Sequence, residues 1–432
     1  MKAKTLIVGG GVMGASIALY LAKRSDPLKA PVVLVDKGEL GKGSSSRSGA
    51  ILRTLYADRM VAQMARESMR EYASFESRTG RSIGFRRTGV MTLATSEDEA
   101  VVERMRAMHA MLVEMGVQAE WVEGAAIRKL VRDVQVSAST IGVWEPDGAT
   151  LNALQTIEAF TALARTYGAV TRVGTALRQL IFEDGRVVGA VTDEGEIRAE
   201  QVVVAAGPWT ATLLGQNGID LPLRVVRPET VFFQLADSPL AAEEEEEEHR
   251  AGLRPNLGFD MSEGDDEMRE LGLADLSSEQ HPVVIDLELG FYARCEISRG
   301  RTRVGRIDYD SDEILEDPDR LSEDVSSDTV SWAREALTAR LPEYGELDDV
   351  GSEAAMYTLT PDAQALIGNV PGYENLFVVA GFSGHGFKLG PSIGLGVAQM
   401  LEGDRVTAFD PEFFAPGRFQ GKELSWGGQF GF

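Results

Sequence analysis

An α/β fold of two interleaved domains is what the sequence predicts, and three observations lead there. The chain opens with an apolar strand, a glycine cluster, a helical pattern and a second apolar strand. Near its other end Leu376-Phe377-Val378-Val379-Ala380 runs into a glycine-rich loop and a helix entered by Pro391. Between these lie two excursions whose strands fit one antiparallel sheet. A length of 432 residues exceeds what a single core supports and suits two domains of roughly 200 residues each. Residues 1–86, 148–222 and 355–432 are expected to form one domain, and 87–147 with 223–354 the other.

The opening unit is Thr5-Leu6-Ile7-Val8, then Gly9-Gly10-Gly11-Val12-Met13-Gly14, then Ile17, Leu19, Tyr20 and Leu21 at helical spacing, then Val32-Val33-Leu34-Val35-Asp36. This is a Rossmann-like βαβ unit with a dinucleotide fingerprint. Gly9 permits the tight turn, Gly11 lets a pyrophosphate approach the backbone, and Gly14 permits close helix–strand contact. Asp36 follows Gly14 by 22 positions, where a carboxylate can accept hydrogen bonds from ribose hydroxyls.

Next comes the small, polar segment Gly41 to Ala50, followed by Ile51 to Tyr56. Such a loop forms no core, yet it can lay N–H and hydroxyl donors against a phosphate or a flat ring. A helix is expected over 59–79, with Met60, Met64 and Met69 as core. Strand character over 87–93 and a helix over 97–115 begin the first excursion, and His109 on that helix reads as a packing or surface residue. Past Gly142 to Gly148 the pattern gives a helix over 151–167, strands at 170–173, 177–183 and 187–192, and turns at Asp184-Gly185 and Glu194-Gly195. Gln201 to Trp209 reads as a buried parallel strand ending in small residues. The second excursion carries strands at 231–235, 283–286 and 290–294 and a helix over 326–341.

Composition narrows the classes. A formal net charge of −24 argues against nucleic acid and anionic membrane surfaces, which need clustered Lys and Arg. From 236 to 281 there are 15 acidic residues against three arginines, and from 310 to 328 nine against one. The first stretch is expected to be a solvated insertion. The second contains Asp308-Tyr309-Asp310-Ser311-Asp312, but a calcium loop would need glycine at Glu313 and glutamate at Asp319, so no metal is expected. The sole cysteine, Cys295, excludes an internal disulfide and suits a reducing compartment. No apolar run reaches the roughly 18 residues of a spanning helix. A cytoplasmic protein is expected.

In colinear order from Thr5 to about Leu401, these motifs resemble the FAD-dependent D-amino acid oxidase and sarcosine oxidase superfamily, in particular its sarcosine oxidase, dimethylglycine dehydrogenase and glycine oxidase branch. The residues that carry the resemblance are Gly9/Gly11/Gly14, the Ser44 to Tyr56 loop, Arg87-Thr88-Gly89, Val203 to Trp209, Thr358 to Asp362 and Gly381 to Lys388. The resemblance implies a Rossmann-like FAD-binding domain and a discontinuous α+β substrate domain. It implies cofactor contacts from Gly9, Gly11, Val12, Met13, Gly14, Asp36, Lys37, Ser44, Ser45, Ser46, Ser48, Gly49, Val173, Ala205, Ala206, Gly207 and Trp209. Gly381, Ser383, Gly384, His385, Gly386, Phe387 and Lys388 belong to the same expected set. Arg53 and Lys388 match positions that clamp a substrate carboxylate, and Tyr357 matches a pocket tyrosine. Without the resemblance, Arg53 reads equally well as a surface ion pair, Lys388 as solvated and Tyr357 as core. His385 is expected to position the flavin ring rather than act as a base.

Two departures stand out. Where monomeric sarcosine oxidases attach FAD through a cysteine, this chain has Ala355, so the flavin is expected to be noncovalent. Their oxygen-activating lysine corresponds to Arg303, which leaves the electron acceptor open between O₂ and another molecule. The implied reaction is oxidation of the C–N bond of a small, sarcosine-like amino acid. Alternatives are a 2-hydroxy acid or proline-like substrate, or a non-catalytic flavoprotein assembly factor. A homo-oligomer or a partner subunit remains open.

Overall fold

The computed structural model describes residues 1–26, 31–235, 280–309 and 312–426. Lys2–Val8 lies at the centre of the first sheet, in parallel with Val32–Val35 on one side and Gly195–Val204 on the other. Val170–Arg172 and Leu376–Ala380 extend that parallel order outward on either side. Helices cover one face, and Leu177, Leu180, Val187 and Ala190 with Leu214 and Ile219 pack on the other, so the strands read as near-continuous Val, Leu and Ile, and Leu6, Ile7, Val33, Leu34, Val202 and Val203 are all buried. Leu177–Glu183 and Arg186–Thr192 form an antiparallel hairpin leading into Gly195–Val204. Its turn is the expected one: Asp184 and Gly185 both take positive φ, 51° and 79°, as a two-residue loop matching the strand twist requires.

Helix Val12–Ala22 is buried on almost every side, between the sheet and helices Ala153–Thr166 and Gly390–Glu402. Asp58, Asp98, Asn152 and Ser326 each cap a helix by accepting N–H groups of its first turn. The helix expected over 59–79 is two helices, Arg59–Ala73 and Phe75–Thr79. The break falls at Ser74, whose Oγ donates to the Arg70 carbonyl at 2.8 Å and competes with the backbone pattern.

The second sheet runs in the order Asp349–Ala354, Glu229–Gln234, Arg301–Arg306, Phe291–Glu296, Val283–Asp286, Val90–Thr95, Thr140–Glu145, Glu120–Glu123. It departs from the expected antiparallel sheet at one pairing: Val283–Asp286 lies parallel to Val90–Thr95. These two strands come from different excursions, so no hairpin dictates their relative direction. Trp144 packs over Gly89, where an added Cβ would sit 1.8 Å from the indole. Helix Ser327–Arg340 covers one face through Ala333 and Leu337. Residues 236–279 of the acidic stretch, and Asp310-Ser311 of the second acidic segment, lie outside the described residues. Among the described residues no helix is long and apolar enough to cross a membrane.

Candidate active site

A cleft of about 520 Å³ opens where the parallel strands end, at Val8, Asp36, Ala205 and Gly381. Gly9 donates its N–H to the Val35 carbonyl at 2.8 Å. With φ at +109° and an added Cβ only 2.4 Å from the Ala205 oxygen, this position admits glycine alone. A Cβ on Gly14 would lie 1.9 Å from the Gly9 oxygen, so the helix sits directly on the turn. Asp36 braces the turns from the side: its Oδ2 accepts the Gly10 N–H at 2.7 Å and its Oδ1 the Gly38 N–H at 2.8 Å.

Of the residues expected from sequence, Gly9, Gly11, Val12, Met13, Asp36, Lys37, Ser44, Ser45 and Ser48 line the cleft, as do Ala205, Ala206, Gly207, Trp209, Tyr357, Gly381, Ser383, Gly384, Gly386 and Phe387. Ser45 Oγ accepts the Val12 N–H at 3.1 Å and closes the first turn of helix Val12–Ala22. Ser44 Oγ is buried, faces the cleft and has no partner among the described residues. Ser46 is not in the lining, and its hydroxyl donates to the Gly43 carbonyl at 3.2 Å. Gly49 also lies outside the lining, its carbonyl accepting from Arg294. Val173 falls just past the end of its strand and turns to solvent. Thr175, whose N–H donates to the Asp36 carbonyl at 2.7 Å, brings the chain back into the wall. At the mouth, Lys37 pairs with Asp319 and stands 4.1 Å from the Trp209 ring, while Trp209 Nε1 donates to Asp319 at 2.9 Å.

Behind this cleft a group of polar side chains is buried. Arg53 is 1% exposed and Lys388 5%, so neither is the solvated surface cation that its sequence context allowed. Both face the ring of Tyr56, with Arg53 Cζ 4.2 Å and Lys388 Nζ 5.8 Å from its centroid. Arg53 also donates to the Leu55 carbonyl. Burial, and then the neighbouring Arg53 charge, push the Lys388 ammonium well below the usual lysine range. His385 donates from Nε2 to the Ala363 carbonyl at 2.8 Å, its Nδ1 is buried without a hydrogen-bond partner among the described residues, and burial lowers its pKa to about 3. Tyr357 packs edge-on against Tyr309 at 5.0 Å. Arg303 is not in the cleft lining. Its Nε donates to Glu296 at 2.7 Å, and its Nη1 donates to Glu353 at 2.7 Å and to the Arg47 carbonyl at 3.1 Å. It thereby holds the polar loop from beneath.

Sequence reasoning missed Tyr56, Tyr309 and Glu145 as members of this group. A glutamate at the end of the otherwise apolar, wholly buried Thr140–Glu145 strand was the available signal.

Glycine turns that close packing forbids to any other residue, a carboxylate on the neighbouring strand end and an orphaned serine hydroxyl fit a dinucleotide cofactor, and they define the class as a nucleotide-dependent enzyme. More narrowly, the chain belongs to the FAD dependent oxidoreductase family, whose model matches residues 4–400. It is similar to peroxisomal sarcosine oxidase of Homo sapiens, 24% identical over 396 residues that cover 90% of this chain and 89% of that one. It is also similar to 4-methylaminobutanoate oxidase (formaldehyde-forming) of Paenarthrobacter nicotinovorans, 24% identical over 97% of this chain, which spans 46% of that longer protein. In fold it is similar to L-proline dehydrogenase from P. horikoshii, with a TM-score of 0.80, 22% identity and coverage of 98% and 99% of the two chains. The protein is an FAD-dependent oxidoreductase.

Proposed function

We propose that this protein oxidises the C–N bond of a small amino acid or N-methyl amino acid, sarcosine-like, that carries a carboxylate. The observation that carries this reading is the burial of two basic side chains, Arg53 and Lys388, against one aromatic ring behind the cofactor cleft. Burial and the Arg53 charge disfavour the Lys388 ammonium, and an anion bound beside both favours its charged form and offsets that cost. Arg53 offers the planar, two-pronged donor that suits a carboxylate, and Lys388 adds a point charge.

FAD, when bound, supplies the two-electron sink for hydride leaving the carbon next to nitrogen. The chain's own residues bind and orient. Arg53 and Lys388 fix the substrate carboxylate, and Tyr357 with Tyr309 walls the pocket against water. His385, held neutral by burial, positions the ring as a hydrogen-bonded spacer and takes no proton at ordinary pH. As hydride departs, the nitrogen lone pair closes the C=N bond, and the resulting imine hydrolyses after release.

In this reading 1–86, 148–222 and 355–432 hold the cofactor, and 87–147 with 223–354 shape the substrate pocket. Ala355 offers no nucleophile, so the flavin is held without a covalent bond. The single, buried Cys295 suits the cytoplasm. Anaerobic addition of sarcosine, dimethylglycine, glycine, D-amino acids, proline and 2-hydroxyglutarate tests the substrate class. Bleaching of the flavin by an amino or N-methylamino acid is expected; bleaching by 2-hydroxyglutarate alone, or by none of them, would contradict the reading. Peroxide formed on admitting air then identifies O₂ as the acceptor, and its absence another molecule.

A further inference from the structure

Glu145, 2% exposed, ends the Thr140–Glu145 strand of the second sheet. Its Oε1 accepts both the N–H and the hydroxyl of Thr54, each at 2.5 Å. Its Oε2 is equally buried and makes no hydrogen bond of normal geometry among the described residues, although the Leu55 N–H also bears on the carboxylate and favours its ionised form. Thr54 follows Arg53 directly, so this carboxylate is fixed to the turn that presents half of the clamp, and its charge acts on both Arg53 and Lys388.

Glu145 also borders a second cavity of about 240 Å³, lined with Thr54, Arg66, Arg70, Arg87 and Asp147 among others. Arg70 and Arg87 are 63% and 46% exposed along their side chains, so this cavity communicates with solvent. Glu145 and Thr54 therefore form a wall between the clamp and a route to water.

Resting on the carboxylate-clamp reading above, we propose that Glu145 is a proton-exchanging counterion of the clamp: ionised while the clamp is empty, it takes a proton from the second cavity when a substrate carboxylate binds Arg53 and Lys388. The arriving anion places a like charge near a buried carboxylate and takes over its role as partner of the two cations, and both effects favour the neutral acid. Burial already raises its pKa against the opposing pull of Thr54, Arg53 and the Leu55 N–H, and the incoming anion pushes in the same direction as burial. The orphaned Oε2 is the atom that receives the proton. No bond in the substrate changes in this step; one proton moves from solvent to Oε2 as one negative charge enters.

The charged and titratable groups facing Glu145 are Arg53, Tyr56 and Lys388 on the clamp side and Arg66, Arg70, Arg87 and Asp147 on the cavity side. The arginines stay charged throughout. Tyr56, pushed up to about 12, stays neutral. Asp147 pairs with Arg87 at 3.3 Å. Lys388 is the competing titrator, since gaining its proton would also tighten anion binding as pH falls, so the test must separate it from Glu145.

The test uses the FAD-loaded protein and methoxyacetate, a carboxylate with no titratable nitrogen, with binding read from the flavin absorbance between about pH 6 and pH 9. Affinity is expected to rise as pH falls, by up to about tenfold per unit. E145Q, which keeps an acceptor for Thr54, is expected to bind at least as tightly as wild type at the upper end and to lose the pH dependence. A slope retained in E145Q, or binding weakened several-fold at every pH, overturns the proposal: the first assigns the proton to another group, the second reduces Glu145 to a brace. If E145Q does not hold flavin, calorimetry of K388M, which removes the competing titrator, in two buffers of different ionisation enthalpy decides: about one proton taken up on binding supports the proposal, and zero uptake overturns it. Should methoxyacetate bind with the expected affinity but without proton linkage, the clamp survives and this inference does not. No binding of any carboxylate overturns both.

Discussion

Arg53 and Lys388 are polar residues whose proposed role rests on where they are buried rather than on what they are. If Arg53 is the main donor to the substrate carboxylate, Arg53→Ala costs about 2–4 kcal/mol of transition-state stabilisation, a fall of roughly 30- to 1000-fold in kcat/KM. Steady-state kinetics on a carboxylate substrate, with the flavin spectrum as a check on folding, measures it. His385 gives a stability prediction. Its folded pKa, about 3, lies below the roughly 6.5 of an unfolded histidine, so on acidification the unfolded chain takes up a proton that the folded chain refuses. The contribution is intact above about pH 6.5 and is lost as pH falls toward the folded value, at up to about 1.4 kcal/mol per unit. Urea midpoints should fall between about pH 6.5 and 4, less steeply for His385→Asn. Little of this cluster was legible in sequence. Arg53, Lys388 and Tyr357 came only through resemblance; Tyr56 carries no local signal because tertiary packing sets its burial, and Glu145 offers only its place at the end of an otherwise apolar strand.

Elements were far easier to read than side-chain roles. The βαβ unit announced itself because the parallel core demands apolar runs, the turn demands glycine and the strand end presents Asp36. Caps at Asp58, Asp98, Asn152 and Ser326 set helix starts within two residues of expectation. What failed was what depends on distant partners. Ser74 splits a continuous helical pattern through one side-chain bond, and the parallel register of Val283–Asp286 against Val90–Thr95 joins strands nearly two hundred positions apart. Gly89 belongs to this scale as well. At φ +66°, and with one Trp144 carbon 1.8 Å and two more 2.6 Å from an added Cβ, Gly89→Ala must move the indole or the strand. A loss above about 2 kcal/mol in urea denaturation is expected; an unchanged midpoint would show that the Trp144 packing is loose.

At the scale of the molecule, the two sheets meet at the polar loop that follows Asp36. From the second sheet, Arg294 holds the Gly49 carbonyl and Arg303 the Arg47 carbonyl, while Arg47 itself donates to the Ala354 carbonyl. The braced loop carries Ser44, Ser45 and Ser48 of the cleft wall and leads directly into buried Arg53, so one tied segment serves both groups of residues. That a parallel and a largely antiparallel sheet would coexist could be read from the alternation of patterns, but this cross-bracing could not, since carbonyl acceptors leave no mark in sequence. The most direct measurement is a crystal structure of the FAD-loaded protein with a bound carboxylate inhibitor. The account predicts the flavin along the cleft from Asp36 to Phe387 and the inhibitor carboxylate hydrogen-bonded to Arg53 and Lys388. A carboxylate bound elsewhere, with those two side chains untouched, would contradict it.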